Sequence, residues 1–457
     1  MLKKILHYIT IMGSAGIYLF AFGIFSGPAI SSFGLSLMGI LFISEFIRRP
    51  SLAKDPLFLL SLVFLIYLSC RILATLHAHG QMGGAVLKAG REYFQLGFIF
   101  MLVPAVSIYR CRPDGHLMIF LLIAGLLFRV LDHVALEEIW TLLDTRPGFG
   151  LPVNHFGCYA AVALLYLLIY ARPFWGPREN RIRFFLWGAG WVGLVVFWLF
   201  NLRISASRSA LLGFTIIVPL VLICMVKKKK VDCSNFLKTG LVCLLAVGVF
   251  FTAVYGVNRQ VVHQRVIPRF VIIWDLFQGK PSDDVVNREN MSVVARFDLW
   301  HFGIKKMMEK PLFGWGPGTP QALLRACYKK SFRMHEADGL FIGHFHNFLL
   351  QFLIEIGLVG VLLYFMAFLI VLKVFLTAYR EGRMDLNLTL FVLGSFSMFF
   401  VANNFNMLMG NNPGRNFVGL LGGIAYSYGI HRPWMPAVSI PGMPDIVSCL
   451  VVPPPES

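Results

Sequence analysis

About a dozen long apolar stretches run through the chain, and they constrain its fold more than any other feature. Each is close to the roughly 20 apolar residues that a helix needs to cross the hydrocarbon core of a bilayer. We therefore predict an all-α polytopic membrane protein with about 12 transmembrane helices and one large loop subdomain. The stretches end at charged residues, Pro or Gly, and they lie near 5–25, 28–47, 56–76, 92–109, 115–133, 153–170, 184–202, 208–226, 236–256, 347–376, 387–409 and 414–430.

The composition supports a membrane environment and excludes other classes. Of the 457 residues, 57% are hydrophobic and 14% are charged, whereas soluble domains have about 25% charged residues. This balance excludes a disordered chain, and the net charge of +18 then does not indicate a nucleic-acid partner. The 8 cysteines have no CxxC or other ligand spacing, so we expect neither a disulfide framework nor a thiolate metal site.

The basic residues of the short loops predict the orientation. An even number of spans places both termini on one side, and short cytoplasmic loops carry more Lys and Arg than outer ones. With the termini in the cytoplasm, the inner segments hold Lys3, Lys4, Arg48, Arg49, Lys54, Arg110, Arg112, Arg172, Arg178, Arg181, Arg183, residues 227–230, Arg380, Arg383 and Arg432. The short outer loops hold only Lys88, Arg91, Arg146, Arg203, Arg208 and Arg415.

The spacing of the spans divides the chain into four parts. We predict nine spans in residues 1–256, a large outer loop over 257–345, three spans in 346–430 and a cytoplasmic Pro-rich tail over 431–457. The large loop is rich in Arg and Lys, which suggests an anionic ligand on that side.

An amphipathic helix is predicted inside the large loop. Its apolar residues Val293, Phe297, Trp300, Ile304 and Met307 recur at helical spacing before Pro311. Arg296 falls beside this stripe, next to Trp300, and so points towards protein or ligand. A structural salt bridge or a stack on Trp300 is the alternative role for Arg296.

Two predicted helix starts on the outer side could hold phosphate. Ser207 and Ser209 flank Arg208 where the eighth span begins, so free backbone amides, the helix dipole and a guanidinium share one place. Snorkelling of Arg208 to lipid headgroups is equally compatible with this stretch. The Gly- and Pro-rich turn from Arg146 to Asn154 repeats the arrangement, although it could be an ordinary turn.

His346 lies where the large loop re-enters the membrane. With a reference pKa near 6.5 it is mostly neutral at pH 7 and can accept a proton from an attacking hydroxyl. Glu355 falls on the opposite side of the predicted helix, and we expect it to pair with an intramembrane arginine such as Arg71. The residues His335, Glu336, Asp338, His344 and His346 match no standard set of metal ligands, so no metal is expected.

These motifs, in this order around one large loop, resemble the O-antigen ligase superfamily of membrane glycosyltransferases. The resemblance rests on Ser207-Arg208-Ser209-Ala210, on Arg296-x3-Trp300 followed by Pro311-Leu-Phe-Gly314-Trp-Gly316-Pro-Gly318, and on His346-Asn347 followed by Glu355-x-Gly357-x-x-Gly360. The resemblance implies a GT-C-like fold in the bacterial inner membrane and an undecaprenyl-diphosphate-linked glycan donor. It also implies an active site on the periplasmic side, with no metal or other cofactor. His346 corresponds to the family's histidine and Arg208 and Arg296 to its arginines, with Arg146 and Arg265 as further residues that bind the donor diphosphate.

The expected function is an O-antigen ligase. In this hypothesis His346 deprotonates a hydroxyl of lipid A-core, which displaces undecaprenyl diphosphate with inversion while Arg208 and Arg296 stabilise the leaving group. An O-antigen polymerase or a protein O-oligosaccharyltransferase would use the same donor and remains open. A secondary transporter is a more remote alternative, because transporters place their polar groups near the middle of the membrane.

Overall fold

The computed structural model describes residues 2–97, 99–134, 147–171, 181–229, 291–331 and 343–430. Within these ranges every regular element is a helix. The α-helices are α1 (Leu2–Ser26), α2 (Pro28–Arg48), α3 (Pro56–Ala78), α4 (Gly83–Leu96), α5 (Ile99–Cys111), α6 (Gly115–His133), α7 (Val153–Ile169), α8 (Arg181–Ser205), α9 (Arg208–Lys229), α10 (Met291–Glu309), α11 (Pro320–Ser331), α12 (Phe348–Arg380), α13 (Leu386–Asn403) and α14 (Asn412–Ser427). Short 3₁₀ turns lie at Pro50–Lys54, Gly80–Met82 and Leu408–Gly410.

The prediction of an all-α polytopic membrane protein is confirmed. Nine helical segments of the described part are long and apolar enough to cross a membrane, and α7 is a shorter apolar helix. The predicted span 236–256, residues 257–290 and 332–342 of the large loop, and the tail 431–457 lie outside the described residues. The total of about 12 spans and the four-part division therefore stay predictions.

Two predicted spans have different limits in the structure. The stretch predicted at 92–109 is the later part of an apolar segment over Gly80–Cys111 that contains α4 and α5. Lys88, Arg91 and Glu92 concealed α4 from a search for apolar residues. The stretch predicted at 387–409 ends at Asn403, whose side chain accepts a hydrogen bond from the Met409 backbone amide at 3.2 Å and folds the chain back.

Aspartate caps mark one face of the bundle. Asp55, Asp114 and Asp385 accept hydrogen bonds from the first backbone amides of α3, α6 and α13 at 2.7 to 3.1 Å, which satisfies groups that a helix start leaves unpaired. Asp55 also accepts from the Tyr426 hydroxyl at 2.8 Å, near the end of α14. We call this the Asp55 face, and on it α3, α6 and α13 begin.

Charged residues at the ends of α2 and α5 form ion pairs close to the Asp55 face. Buried Glu45 on α2 forms ion pairs with Arg48 at 2.9 Å and with Arg49 and Arg110 at 3.3 Å. Arg110 belongs to the last turn of α5. The ends of α2 and α5 therefore meet, and the connections from them lead directly to the Asp55 and Asp114 caps.

The centre of the bundle is α7, which is buried along almost its whole length between α8, α9 and α13. At the α1–α2 contact, Gly23 packs against the backbone of Ser31 and Gly34 against the backbone of Phe20, with no space for a Cβ atom at either glycine. Such close approach is how helices associate in lipid, where apolar burial gives little driving force.

Candidate active site

A short turn before α12 holds His346 in a defined position. Asn347 caps α12 by accepting a hydrogen bond from the Leu350 amide at 2.9 Å, and Gln351 accepts one from the Phe345 amide at 3.2 Å. The Phe345 side chain is fully buried, and its carbonyl accepts from the Trp300 indole at 3.0 Å. His346 has a φ of 52°, in the left-handed region. We call residues 343–347 the His346 turn.

The two histidines of the turn lie against each other and close to Arg296. The ring centroids of His344 and His346 are 4.2 Å apart at 62°. Burial, followed by electrostatic repulsion from His344 and Arg296, lowers the pKa of His346 from 6.5 to about 3, and burial and Arg296 also lower the pKa of His344. Nδ1 of His346 is buried and has no hydrogen-bond partner within the described ranges. Both imidazoles are therefore neutral at pH 7.

Arg296 reaches this place because α10 packs against the His346 turn. Leu299 is fully buried, and a Cβ atom on Gly303 would meet Phe345 and Leu350. The amphipathic helix predicted over 293–310 is thus present as α10. Its buried face, however, is rotated about the helix axis relative to the predicted apolar stripe. Ile304 was expected in the apolar stripe and is 47% exposed, because close contact with the turn occurs at the small residue Gly303.

A break in α12 anchors the start of this helix to the segment after α10. Gly357 has a φ of 64° and interrupts the helix. The segment 311–316 enters the gap and satisfies the freed backbone groups on both sides of it. The hydrogen bonds run from the amides of Trp315, Gly316, Leu358 and Val359 to the carbonyls of Ile354, Glu355, Pro311 and Leu312, respectively, at 2.6 to 3.1 Å.

Buried Glu355 completes this anchor. It accepts hydrogen bonds from the Gly318 amide at 3.0 Å and from the Gln351 side chain, which also holds the His346 turn. The prediction that Glu355 pairs with Arg71 is wrong. Within the described residues, Arg71 donates to the Gly314 carbonyl at 3.1 Å and forms no ion pair with Glu355. The two motifs Pro311–Gly318 and Glu355–Gly360 therefore form one connected structure.

A cluster of amide and hydroxyl side chains surrounds the start of α9. Asn154 donates to Asn406 at 2.8 Å, and Asn406 donates to Ser209 at 2.8 Å. Ser207 lies 3.4 Å from both the Asn154 carbonyl and the Ser209 hydroxyl. Arg208 projects from this cluster with an exposed side chain.

Residues 403–411 join this cluster to the histidines. Phe405, next to Asn406, lies 6.3 Å from the Trp300 ring of α10, measured between centroids. Asn411 lies 3.2 Å from Nδ1 of His155 at the start of α7. His155 in turn is near enough to His344 for the two imidazoles to interact electrostatically. The starts of α7, α9 and α12 and the end of α13 therefore meet on one face, opposite the Asp55 face. We call it the His346 face.

A cavity of about 380 Å³ opens beside His344 on this face. Small-molecule sites are typically about 300 to 1,000 Å³. The polar part of its wall comes from α4, α7, α11, α12, the His346 turn and residue 411, and it includes Lys88, Glu92, Tyr93, His155, Gln321, His344, Gln351, Glu355 and Asn411.

The structure brings together some of the predicted site residues. Arg296 and His346 are close enough to interact electrostatically. Arg208 lies at the start of α9, with no contact to His346 in the part of the chain that the structure covers. Arg146 and Arg265 lie outside the described residues, as do His335, Glu336 and Asp338. The described ranges contain no group of three or more His, Cys, Asp or Glu that could hold a metal.

Sequence reasoning missed Asn406, Asn411, His155 and the α4 residues Lys88 and Glu92. A signal existed for the asparagines, because four of them lie within Asn403–Asn411 at the end of an apolar stretch. Polar amides at such a depth are expected to have partners. No spacing in the sequence, however, connects Asn406 to Ser209 or Asn154.

Comparison with known proteins identifies one domain. Residues 193–365 match the family model described as O-Antigen ligase, which confirms the resemblance to the O-antigen ligase superfamily. The matched range contains Arg208, Arg296, His346 and the Gly357 break, whereas Arg146 precedes it. No curated protein matches the chain.

Proposed function

Because residues 193–365 carry the O-antigen ligase domain, we propose that this multi-pass membrane protein transfers a glycan from undecaprenyl diphosphate to a sugar hydroxyl of lipid A-core. The proposed location is the bacterial inner membrane, with both termini in the cytoplasm and the His346 face in the periplasm. The observation that carries the proposal is the position of Arg296 beside the His344–His346 pair. A neutral base and a fixed positive charge are then next to each other.

His346 is the proposed general base. Its neutral imidazole accepts the proton of the acceptor hydroxyl, whose oxygen forms a bond to the anomeric carbon of the donor. The bond from that carbon to the diphosphate oxygen breaks, undecaprenyl diphosphate leaves, and the configuration inverts. Bound diphosphate would offset the charge of Arg296, so the donor itself would raise the basicity of His346 from its low resting value.

Arg296 and Arg208 are the proposed partners of the leaving diphosphate. Negative charge grows on it in the transition state, and a charge-assisted contact there contributes roughly 1.5 to 3 kcal/mol. The start of α9 adds free amides and the positive end of its dipole. Arg146 and Arg265 are proposed as further diphosphate ligands. The mechanism uses no metal or other cofactor.

The cavity beside His344 is the proposed place for the acceptor sugar. Glu92, Gln351 and Asn411 offer oxygen atoms that accept hydrogen bonds from sugar hydroxyls. The diphosphate is instead proposed to lie beside Arg296, which does not line this cavity.

The test is transfer by the purified protein in proteoliposomes without any ion gradient. With an undecaprenyl-diphosphate-linked repeat unit and lipid A-core, the proposal expects glycan attached to lipid A-core. Elongation of the lipid-linked repeat without use of lipid A-core would indicate a polymerase instead. Glycan appearing on protein would indicate a protein O-oligosaccharyltransferase, and movement of solute only with a gradient would indicate a transporter.

A further inference from the structure

A second cavity lies away from the histidines, between the last turns of α3 and the segment after α10. It has a volume of about 360 Å³ and shares no lining residue with the cavity beside His344. We call it the Arg71 pocket. Its wall consists of Arg71, Ala74, Thr75, Ala78, His79 and residues 310–315.

The charged lining of this pocket is entirely basic. Arg71 and Lys310 contribute positive charge, His79 adds an imidazole, and no Asp or Glu is among the lining residues. Glu309, the nearest acid along the chain, is paired with Lys306 at 2.7 Å. A phosphate group would therefore meet cations without an opposing carboxylate.

The Arg71 guanidinium has hydrogen-bonding capacity left inside the protein. Its Nη2 donates to the Gly314 carbonyl at 3.1 Å. Its Nε is buried and has no partner among the residues that the structure describes. Lys310 lies over the Trp315 ring with Nζ 4.1 Å from the ring centroid, which holds the ammonium at the pocket wall.

Apolar side chains around the pocket are exposed. Leu73 on α3 is 66% exposed, and Leu312 and Phe313 at the tip of the 311–316 segment are 54% and 52% exposed. Since α3 is a candidate membrane span, these side chains would contact acyl chains. Basic pockets between membrane helices bind anionic headgroups in this way.

We propose that the Arg71 pocket binds the phosphate of a membrane lipid headgroup. The phosphate contacts Arg71 and Lys310, and the acyl chains lie against Leu73, Leu312 and Phe313. The pocket shares the segment 311–315 with the break in α12, so a bound lipid stabilises the anchor of the His346 turn. This site is separate from the proposed transfer reaction and does not depend on it.

The proposal is tested by binding of phosphatidylglycerol to the delipidated protein, measured by native mass spectrometry and by the thermal unfolding midpoint. The wild-type protein should retain phosphatidylglycerol and gain stability from it. The K310E variant places a carboxylate in the pocket and should weaken binding at least about tenfold. K305E is the matched control, because Lys305 is exposed on α10, which ends directly before Lys310, and does not line the pocket; it should bind like the wild type.

Two further ligands test which part of the lipid is bound. Diacylglycerol tests the acyl chains without the phosphate, and inorganic phosphate tests the anion without the lipid. Diacylglycerol, which lacks the phosphate, should give no stabilisation, and equal stabilisation by it would overturn the proposal. Inorganic phosphate that stabilises as much as the lipid would overturn the assignment to a headgroup. Equal lipid retention by the wild type and K310E would overturn it as well, and K310Q provides the same comparison if K310E does not fold.

Discussion

The backbone of His346 is in a conformation that a residue with a Cβ atom seldom adopts. A φ of 52° costs roughly 1 to 2 kcal/mol for a non-glycine residue. Hydrogen bonds from neighbouring residues to the turn stabilise it: Asn347 caps α12, and Gln351 and Trp300 bond to the two sides of Phe345. The strain therefore lies at the residue proposed to act as the base.

The low pKa of His346 predicts the pH dependence of transfer. Since the pKa in the folded protein lies near 3, below the usual 6.5, the imidazole stays neutral as the pH falls through 6.5. The acid limb of kcat/KM, which reports the free enzyme, should therefore lie well below pH 6.5. In R296Q the limb should move to higher pH, because a positive charge that lowers the pKa has been removed. A wild-type limb centred at pH 6.5 would contradict this.

The charge of Arg296 should matter more than its size. R296Q should lower kcat/KM by at least about tenfold, since a charge-assisted contact of about 1.5 kcal/mol or more is removed. K305Q removes a charge from the exposed side of the same helix and should leave the rate unchanged. Transfer rates of both variants in proteoliposomes provide the comparison, and a wild-type rate for R296Q would exclude the proposed role.

At the scale of the elements, the break in α12 connects two motifs that are far apart in the printed sequence. The helix cannot continue through Gly357, and the segment 311–316 supplies the missing hydrogen-bond partners. A Cβ atom on Gly357 would collide with the backbone of Leu312 and Gly314. The segment 311–316 can approach α12 this closely only because residue 357 is a glycine, which has no Cβ atom and adopts a positive φ without strain.

A pair of glycine substitutions separates these two contributions. Gly357 and Gly382 have φ values of 64° and 71°, but a Cβ atom on Gly382 would meet nothing within 4 Å. G382A should destabilise by about 1 kcal/mol from backbone strain alone. G357A should cost about 3 kcal/mol because the collision adds to it. Thermal unfolding of the two purified variants measures the difference, and equal midpoints would show that the segment does not press on Gly357.

Most elements could be predicted from the sequence because apolar stretches of span length fold as helices in lipid. The prediction failed where polar residues lie inside a span. Charged residues concealed α4, and the asparagines after Asn403 turned the chain within a stretch read as continuous. The rotation of α10 was also wrong in part, because periodicity gives the apolar side but not the small residue, Gly303, at which another segment makes contact.

The site was predictable only in part, for a related reason. Short motifs singled out His346, Arg296 and Arg208 with their local chemistry. The contacts of Asn406 with Ser209 and Asn154 join residues 197 and 252 positions apart. They depend on how α7, α9 and α13 pack, which no local pattern contains.

At the scale of the whole molecule, the polar chemistry is divided between two faces. The Asp55 face carries the aspartate caps of α3, α6 and α13, close to the Glu45 ion pairs. The His346 face carries the histidine pair, Arg296 and the asparagine cluster. A lipid-linked substrate would reach its site from one side of the membrane only.

The two faces predict which residues a reagent can reach from outside the cell. In a cysteine-free background, K88C on the His346 face should react with a membrane-impermeant maleimide in intact cells. K54C, on the Asp55 face, should react only after the membrane is opened. Both positions are exposed in the structure, so they form a matched pair. The reverse pattern would invert the proposed orientation.

The proposed function is tested most directly by transfer with the H346A variant in proteoliposomes that contain an undecaprenyl-diphosphate-linked glycan and lipid A-core. His301, exposed on α10, provides the matched control H301A. Loss of a general base removes about 10² to 10⁴ in rate. We predict that H346A falls by at least about a hundredfold while H301A keeps the wild-type rate. Transfer by H346A at the wild-type rate would show that the His346 turn is not the catalytic centre.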